Sequence, residues 1–547
     1  MSHTAFNSLM ASSSNNFYAY LSDLKQWAGD KKRQIRLRDK QNNDIILPAY
    51  LEVTEADLDP IELYAYFIGL HINNMHNGIY MDYLLSFPVT YENSVREKIV
   101  KSFAKGLKKS FPIAVLQSED AMNKFRVVAG ASEPAAYVIC ALQEYKFEPS
   151  GTEKVFYGVF DFGGGTTDFD FGLWREASHK ERRYDYVIEH FGANGDQYLG
   201  GENLLELLAF EIFKENQDKM RENGVTFTLP PECKRFAGSE ILLSDSQEAK
   251  LNTKQLMEKM RPLWEKHEGY EKIYDIGVIK VNLFDKGGQA KVNFELSVSR
   301  EELERILSER IEKGVRNFFD SLKQSFGFPE TKGIEDVNIF LAGNASKSPI
   351  LKELFHKYIT EITAEINELA GTEKERFNIF PPLGTEDAFD KQSEKGIEVD
   401  QNAITSPTGK TGVAFGLLRS RNGGKIMVVD KNISGNEIKF KYYVGSSKRD
   451  KLSVLLDREA VYGQWYDFID AAEEDFELYY TNLPEASGNQ LDIREALRKK
   501  RSISVTDDTA SVYIRAVEPS VIEYVVATED AVASGKYLND VVRVELN

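Results

Sequence analysis

Cysteine is nearly absent: of 547 residues only Cys140 and Cys233 carry a thiol. Two isolated thiols build no disulfide framework, and neither stands in a spacing that ligates zinc. A reducing, cytoplasmic setting is therefore expected. Long apolar runs are missing too, so no membrane partner is expected. The opening stretch MSHTAFNSLMASSSNN lacks a basic region followed by an apolar one and does not read as a secretory signal. Residues 1–20 read as a disordered leader. Positive charge is in deficit, 68 Lys and Arg against 86 Asp and Glu, for a net charge of -18. That balance argues against a general nucleic-acid surface. The basic run Arg498-Lys499-Lys500-Arg501 has no interleaved aromatics and reads as a solvated face or loop.

The composition is otherwise that of ordinary globular domains, with 42% hydrophobic and 28% charged residues. Ile35 and Leu37, then Ile45 and Leu47 across a DKQNND turn, predict a hairpin. Asp59 and Pro60 are suited to cap and start a helix, in which Ile61, Tyr64, Ile68, Ile72 and Met75 recur at helical spacing. DYLLSFP reads as a short buried strand closed by Pro88, and residues 92–109 as a helix with a basic outer face. VFYGVFDF is apolar along nearly its whole length, which suits a buried central strand. Residues 204–212 and 250–268 read as helices. Ser299 with Glu302 opens another as a capping box. DVNIFLAGN is a second buried strand, followed by a helix. Strand and helix alternate with glycine-rich joints, which is α/β architecture. Beyond SRNGG, near residue 420, the pattern turns to alternating strands and a β-rich region.

The stretch GVFDFGGGTTDFDFG, residues 158–172, carries the chemistry. Gly163, Gly164 and Gly165 lack the Cβ that would keep an anion from their amides, and Thr166 and Thr167 add hydroxyl donors. Asp161 and Asp168 would repel a phosphate unless a divalent metal stood between. The stretch reads as half of a magnesium–nucleotide site, with a plain glycine-rich hairpin as the alternative. Gly200-Gly201-Glu202 precedes a helix, whose N-terminus favours anions; a loop that simply needs glycine is the alternative. LAGNASKSP, residues 341–349, follows a strand and precedes a helix. It reads either as a seat for a flat base or as an ordinary tight turn.

In order and content these elements resemble the heat-shock-seventy (DnaK-type) chaperone family, whose ATPase domain shares its fold with actin and sugar kinases. DFGGGTTDFDFG is similar to the family's second phosphate motif, GDQYLGGEN to its second-lobe helix entry, and LAGNASKSP to its adenosine motif. GASEPAAYVICAL and PTGKTGVAFGL resemble its two connecting segments, and LLSFPVTYENSVREK the strand and turn before the first. Asn344 stands where the family usually has a second glycine, Lys410 where it tends to be acidic, and Asn203 where an ion-binding carboxylate is usual.

The resemblance implies an α/β, actin-like (ribonuclease-H-like), two-lobed ATPase domain over residues 21–424 and a β-rich domain over 425–547. It implies ATP or ADP and Mg2+ as cofactors, and polypeptide clients or co-chaperone-like proteins as partners. By residue, Asp161 would position the attacking water or its metal, Asp168 the ion's outer shell, Glu133 the water, and Thr166 the γ-phosphate. Gly163, Gly164, Gly165, Thr167, Gly200, Gly201 and Glu202 would serve the phosphates. Glu258, Arg261, Gly343, Asn344 and Lys347 would serve the nucleoside. The family's first phosphate hairpin and catalytic lysine have no evident counterpart before residue 30. The domain therefore reads as N-terminally incomplete. ATP hydrolysis by this chain alone is expected to be weak or absent, unless another chain supplies the segment. A non-hydrolysing scaffold or interaction protein is the alternative. KIMVVD, residues 425–430, reads as a plain first strand or as the family's interdomain linker.

Overall fold

The computed structural model describes residues 3–30, 32–75, 78–89, 91–196, 198–326, 329–400, 405–431, 433–434, 437–438, 440–458, 460–483, 486, 491–503, 505–507 and 509–546. The chain is mixed α/β and divides into two compact units. The first is Met1–Phe318 with Gly333–Val429, and the second Phe319–Lys332 with Asp430–Asn547.

The first unit opens with helix α1 (His3–Ala11), a 3-10 turn (Ser14–Ala19) and a short helix, α2 (Leu24–Gly29). Residues 3–20 are thus not the disordered leader expected. Leu9, Phe17 and Tyr18 are buried and pack with Leu251. Burying each such side chain is worth about 2 kcal/mol, enough to hold a short segment that has found an apolar acceptor. Strands β1 (Ile35–Arg38) and β2 (Asp44–Leu47) form the predicted hairpin, Ile35 opposite Leu47 and Leu37 opposite Ile45.

Helix α3 (Pro60–Asn74) starts as predicted. The Asp59 side chain accepts from the amides of Ile61 and Glu62, and Pro60 occupies the first turn. Its buried face differs from the expected stripe. Ile61, Ala65 and Gly69 are buried, whereas Tyr64 and Met75 are exposed. The neighbour, helix α4 (Asn93–Lys109), explains this: a Cβ on its Gly106 would stand 2.2 Å from the Glu62 carbonyl oxygen. Backbones that touch call for small residues at the contact, so the large apolar residues of α3 do not mark it. Strands β3 (Asp82–Leu85) and β4 (Arg126–Ala129) pair in parallel, and β3 is half-buried rather than buried. Helix α5 (Glu133–Glu144) follows, with Pro134 through Leu142 all buried.

The core of the first unit is a six-stranded mixed sheet. Its strands are β5 (Lys154–Phe162), β6 (Thr167–Glu176) and β7 (Tyr186–Asp196), an antiparallel meander, with β10 (Val337–Ala342), β11 (Phe377–Phe380) and β12 (Ile426–Asp430). The order is β11-β10-β5-β6-β7-β12, and β10 runs parallel to both β5 and β11. KIMVVD is therefore a strand of this sheet, and the unit boundary falls at Val429/Asp430 rather than at 424/425. Between β7 and β10 lie helix α6 (Gly201–Glu215), helix α7 (Gln247–Trp264), the hairpin β8–β9 (Val278–Phe284, Ala290–Ser297) and helix α8 (Arg300–Ser325). Helix α9 (Pro349–Ala370) joins β10 to β11. The carboxyl ends of β5 and β10, Phe162 and Ala342, lie side by side, where ligands of open α/β sheets bind.

The second unit is a β-sandwich. Strands 451–456, 443–448, 475–481 and 497–502 form one antiparallel sheet, and 466–470, 511–518, 521–527 and 542–545 the other. Val444, Leu478 and Tyr480 from the first share a core with Val512, Ile514, Val526 and Val544 from the second. The basic run lies on edge strand Leu497–Ser502, where Arg498 pairs with Glu477 and Lys500 with Asp475. Among the described residues no helix is long and apolar enough to cross a membrane.

Candidate functional site

The glycine turn closes the β5–β6 hairpin: the Gly163 amide donates to the Thr166 carbonyl at 3.0 Å. Asp161 and Asp168 are direct cross-strand partners, which sets both carboxylates on one face. Like charges so placed destabilise a sheet, and burial adds to the cost. Burial, then the Glu133 and Asp168 charges, push the Asp161 carboxyl up to about 8. Burial and Glu133 push Asp168 up to about 6. One Asp168 oxygen accepts from the Thr166 hydroxyl at 3.2 Å; the other is buried and has no hydrogen-bond partner.

Glu133 reaches the same place from the first turn of α5. Its amide donates to the Phe87 carbonyl at 2.9 Å, and Tyr137, one turn on, donates to the Leu341 carbonyl at 3.0 Å. Those bonds fix the start of α5 beside the ends of β5 and β10. The Lys25 ammonium, from α2, stands 3.0 Å from both Glu133 carboxylate oxygens. Burial opposes its charge, but Glu133, Asp168 and Asp161 outweigh that and hold its pKa above the ordinary lysine value. Lys25, which the sequence does not single out, thus stands beside the candidate site through its pair with Glu133. Nothing in SDLKQWAGDKKRQ separates Lys25 from its neighbours except that three carboxylates elsewhere call for a cation. Gln26 faces the turn as well: a Cβ on Gly165 would lie 2.7 Å from its side-chain nitrogen.

The second glycine loop packs on the first, backbone to backbone. The amides of Gly201 and Glu202, at the start of α6, donate to the carbonyls of Gly163 (3.1 Å) and Gly164 (2.7 Å). A Cβ on Gly200 would lie 2.5 Å from the Gly165 carbonyl carbon, so only glycine fits. The Gly201 amide was expected to meet phosphate; here it holds the turn instead, together with that of Glu202. The buried Thr167 hydroxyl likewise donates to the Leu199 carbonyl, at 2.6 Å, rather than facing a ligand.

The third loop closes the group. Gly343 has φ of +80°, and a Cβ there would stand 2.2 Å from the Phe162 carbonyl oxygen and 2.7 Å from an Asp161 carboxylate oxygen. Its amide donates to the Gly409 carbonyl at 3.2 Å, which ties in the PTGKTG segment. A Cβ on Gly201 would meet Trp264 Nε1 at 3.3 Å and Ala345 Cβ at 3.8 Å, so loops 200–202 and 343–347 converge at the end of α7. Asn344 and Lys347 are exposed on the last of these. Arg261 forks onto Glu202 at 2.9 and 3.2 Å, and also bonds Glu258 at 3.0 Å and Glu265 at 3.4 Å. Glu258 and Arg261 are therefore partners, within an ion-pair network anchored on the second glycine loop.

Among the described residues no group of three or more His, Cys, Asp or Glu is gathered closely enough to hold a metal ion by itself. Asp161 and Asp168 nevertheless suit a hard cation. They are oxygen donors short of positive charge, one oxygen is unpartnered, and Asp161, raised to about 8, is ionised at neutral pH only with help. Mg2+ commonly binds through one or two carboxylates, water and phosphate rather than in a protein cage. No protein-family model matches this chain, and no curated protein matches it.

Proposed function

We propose that this chain binds ATP and ADP with Mg2+ on a two-lobed, actin-like domain of the heat-shock-seventy type. Its β-sandwich reads the nucleotide state in a chaperone-like role toward polypeptide partners. The carrying observation is the opposed Asp161–Asp168 pair beside a glycine turn, with an unpartnered oxygen and three carboxylates against one ammonium. Such a group favours a cation, and a turn of bare amides favours an anion; a metal–phosphate pair is both. Bound there, Mg2+ would neutralise phosphate charge. Asp161 and Asp168 would hold it, Asp168 through its outer shell. The Gly164 and Gly165 amides would meet phosphate oxygens, and the Thr166 hydroxyl would do so on turning away from Asp168. Glu133 would orient the attacking water, and Lys25 would meet charge developing on the phosphoryl group. Calorimetry of the full chain tests the reading: Mg-ATP should give heat of binding that EDTA abolishes. No heat from a folded sample ends the nucleotide proposal.

A second reading, that another chain completes the site, draws on β3. Among the described residues β3 pairs with β4 alone, whereas β10, also parallel to its successor, has β5 on its other side. On α3, Leu63 is 43% and Phe67 67% exposed, one helical turn apart. A strand added to β3 would cover this region and bring a further turn toward Glu133. Backbone bonds from Arg126 to Met81 and from Gly130 to Leu85 turn alternate groups of β3 inward, so the Leu84 amide faces the other edge. Fast hydrogen exchange at Leu84 in the isolated chain fits this reading. Protection equal to that of β5 removes it.

A further inference from the structure

Residues 3–20 touch two elements that adjoin or carry candidate-site residues. On one side stands the hairpin β1–β2, which follows α2 and packs in one cluster with Trp27, Tyr50 and Ile61. On the other stands α7, which carries Glu258 and Arg261. The Arg38 guanidinium donates to the Asn15 carbonyl, while Gln247 of α7 donates to the Asn15 side chain at 3.2 Å. The Gln255 side chain donates to the Met10 carbonyl at 3.1 Å, and the Tyr18 hydroxyl to the Asp245 carbonyl at 3.3 Å. The Tyr18 ring meets the Arg36 guanidinium at 4.9 Å from the hairpin and the Lys250 ammonium at 5.3 Å from α7. Leu9, Phe17 and Tyr18 bury themselves against Leu251.

Among the described residues, the hydrogen bonds that connect hairpin 35–47 with helix 247–264 run through this segment. Burial lowers the Lys250 pKa; Asp245 opposes that, Arg33 adds to it, Asp23 opposes it and Arg36 adds least. The Tyr18 ring attracts a cation from each element.

We infer that residues 3–20 are an intramolecular clasp, with Tyr18 as its pin, that holds hairpin β1–β2 to α7 and so gates the candidate site. The clasp stands on its own contacts; its effect on nucleotide rests on the reading above. A short segment held by a few side chains is of the kind that opens locally before the domain does.

Spin labels at Gln41→Cys and Lys272→Cys, both exposed positions, report the separation of the two sides in the full-length chain, with Cys233→Ser to prevent stray labelling. The parent should give one narrow distance. Tyr18→Ser should lengthen and broaden it, and Leu9→Ser, acting through a different contact, should do the same. A melting curve of each variant confirms that it is folded. Unchanged distances in both folded variants overturn the clasp. Association and dissociation of a fluorescent ATP analogue with Mg2+ should both speed up roughly tenfold in the variants. Lengthened distances without nucleotide binding in any form leave the clasp standing and remove the nucleotide reading. Bound nucleotide with unchanged distances does the reverse.

Discussion

In the sandwich of the second unit, Arg498 and Lys500 stand on an edge strand and meet Glu477 and Asp475 in water. In the six-stranded sheet of the first unit, Asp161 and Asp168 oppose each other at the end of two central strands. The first arrangement contributes little to stability and keeps an edge from pairing with other chains. The second works against the fold that contains it. A protein keeps buried like charges where a ligand relieves them, which is why strongly displaced carboxyl groups mark functional sites. The contrast separates decoration from chemistry better than the number of charges does.

The comparison breaks most sharply at Asp161. Asp161→Asn should abolish Mg2+-dependent ATP binding in calorimetry while raising the melting temperature of the ligand-free chain by several degrees. A variant that binds ATP as the parent does removes Asp161 from the site.

Gly200→Ala comes next. Its Cβ would run into the backbone of Gly165, and separation of the two glycine loops should cost about 2–4 kcal/mol in urea melts.

The pH dependence follows. A carboxyl whose folded pKa lies above its unfolded one holds extra protons in the native state between the two. Asp161, raised from 3.8 to about 8, therefore lowers stability as pH rises through that window. The ligand-free parent should lose stability relative to Asp161→Asn from about pH 4 to about pH 8, with the difference flat above. Denaturant melts across that range check it.

Lys25→Met has a smaller effect. It removes the ammonium paired with Glu133, so added Mg2+ should raise the melting temperature of the variant more than that of the parent. Smallest of all, Arg498→Ala should leave the melting temperature within about one degree of the parent's, as exposed pairs do.

The readable parts of this chain were those whose cause is local. Asp59 and Pro60 start a helix because capping and a fixed φ act within one turn. VFYGVFDF and VNIFLA are central strands because runs apolar on both faces have to be covered on both. Asp161, Asp168 and three glycines share one place because nine paired residues of hairpin bring them there. What the sequence does not show depends on distant partners. The buried face of α3 departs from its apolar stripe because the glycine that sets its contact lies on another helix. The direction of the Gly201 and Glu202 amides depends on where the first glycine turn lies, and the Thr167 hydroxyl on Leu199. Lys25 carries no local mark, since its role is defined by Glu133, 108 residues away.

By itself, then, the amino-acid sequence determined a buried α/β core, a glycine turn flanked by two acids, and a β-rich C-terminal region. Periodicity, turn chemistry and the needs of short-range hydrogen bonding leave few alternatives over such spans. Only the tertiary structure decided that Lys25 pairs with Glu133 beside those acids, which amides hold the turn rather than face outward, and that residues 3–20 touch both the hairpin and α7. Each of these depends on groups far apart in the chain, whose meeting is set by how the elements pack.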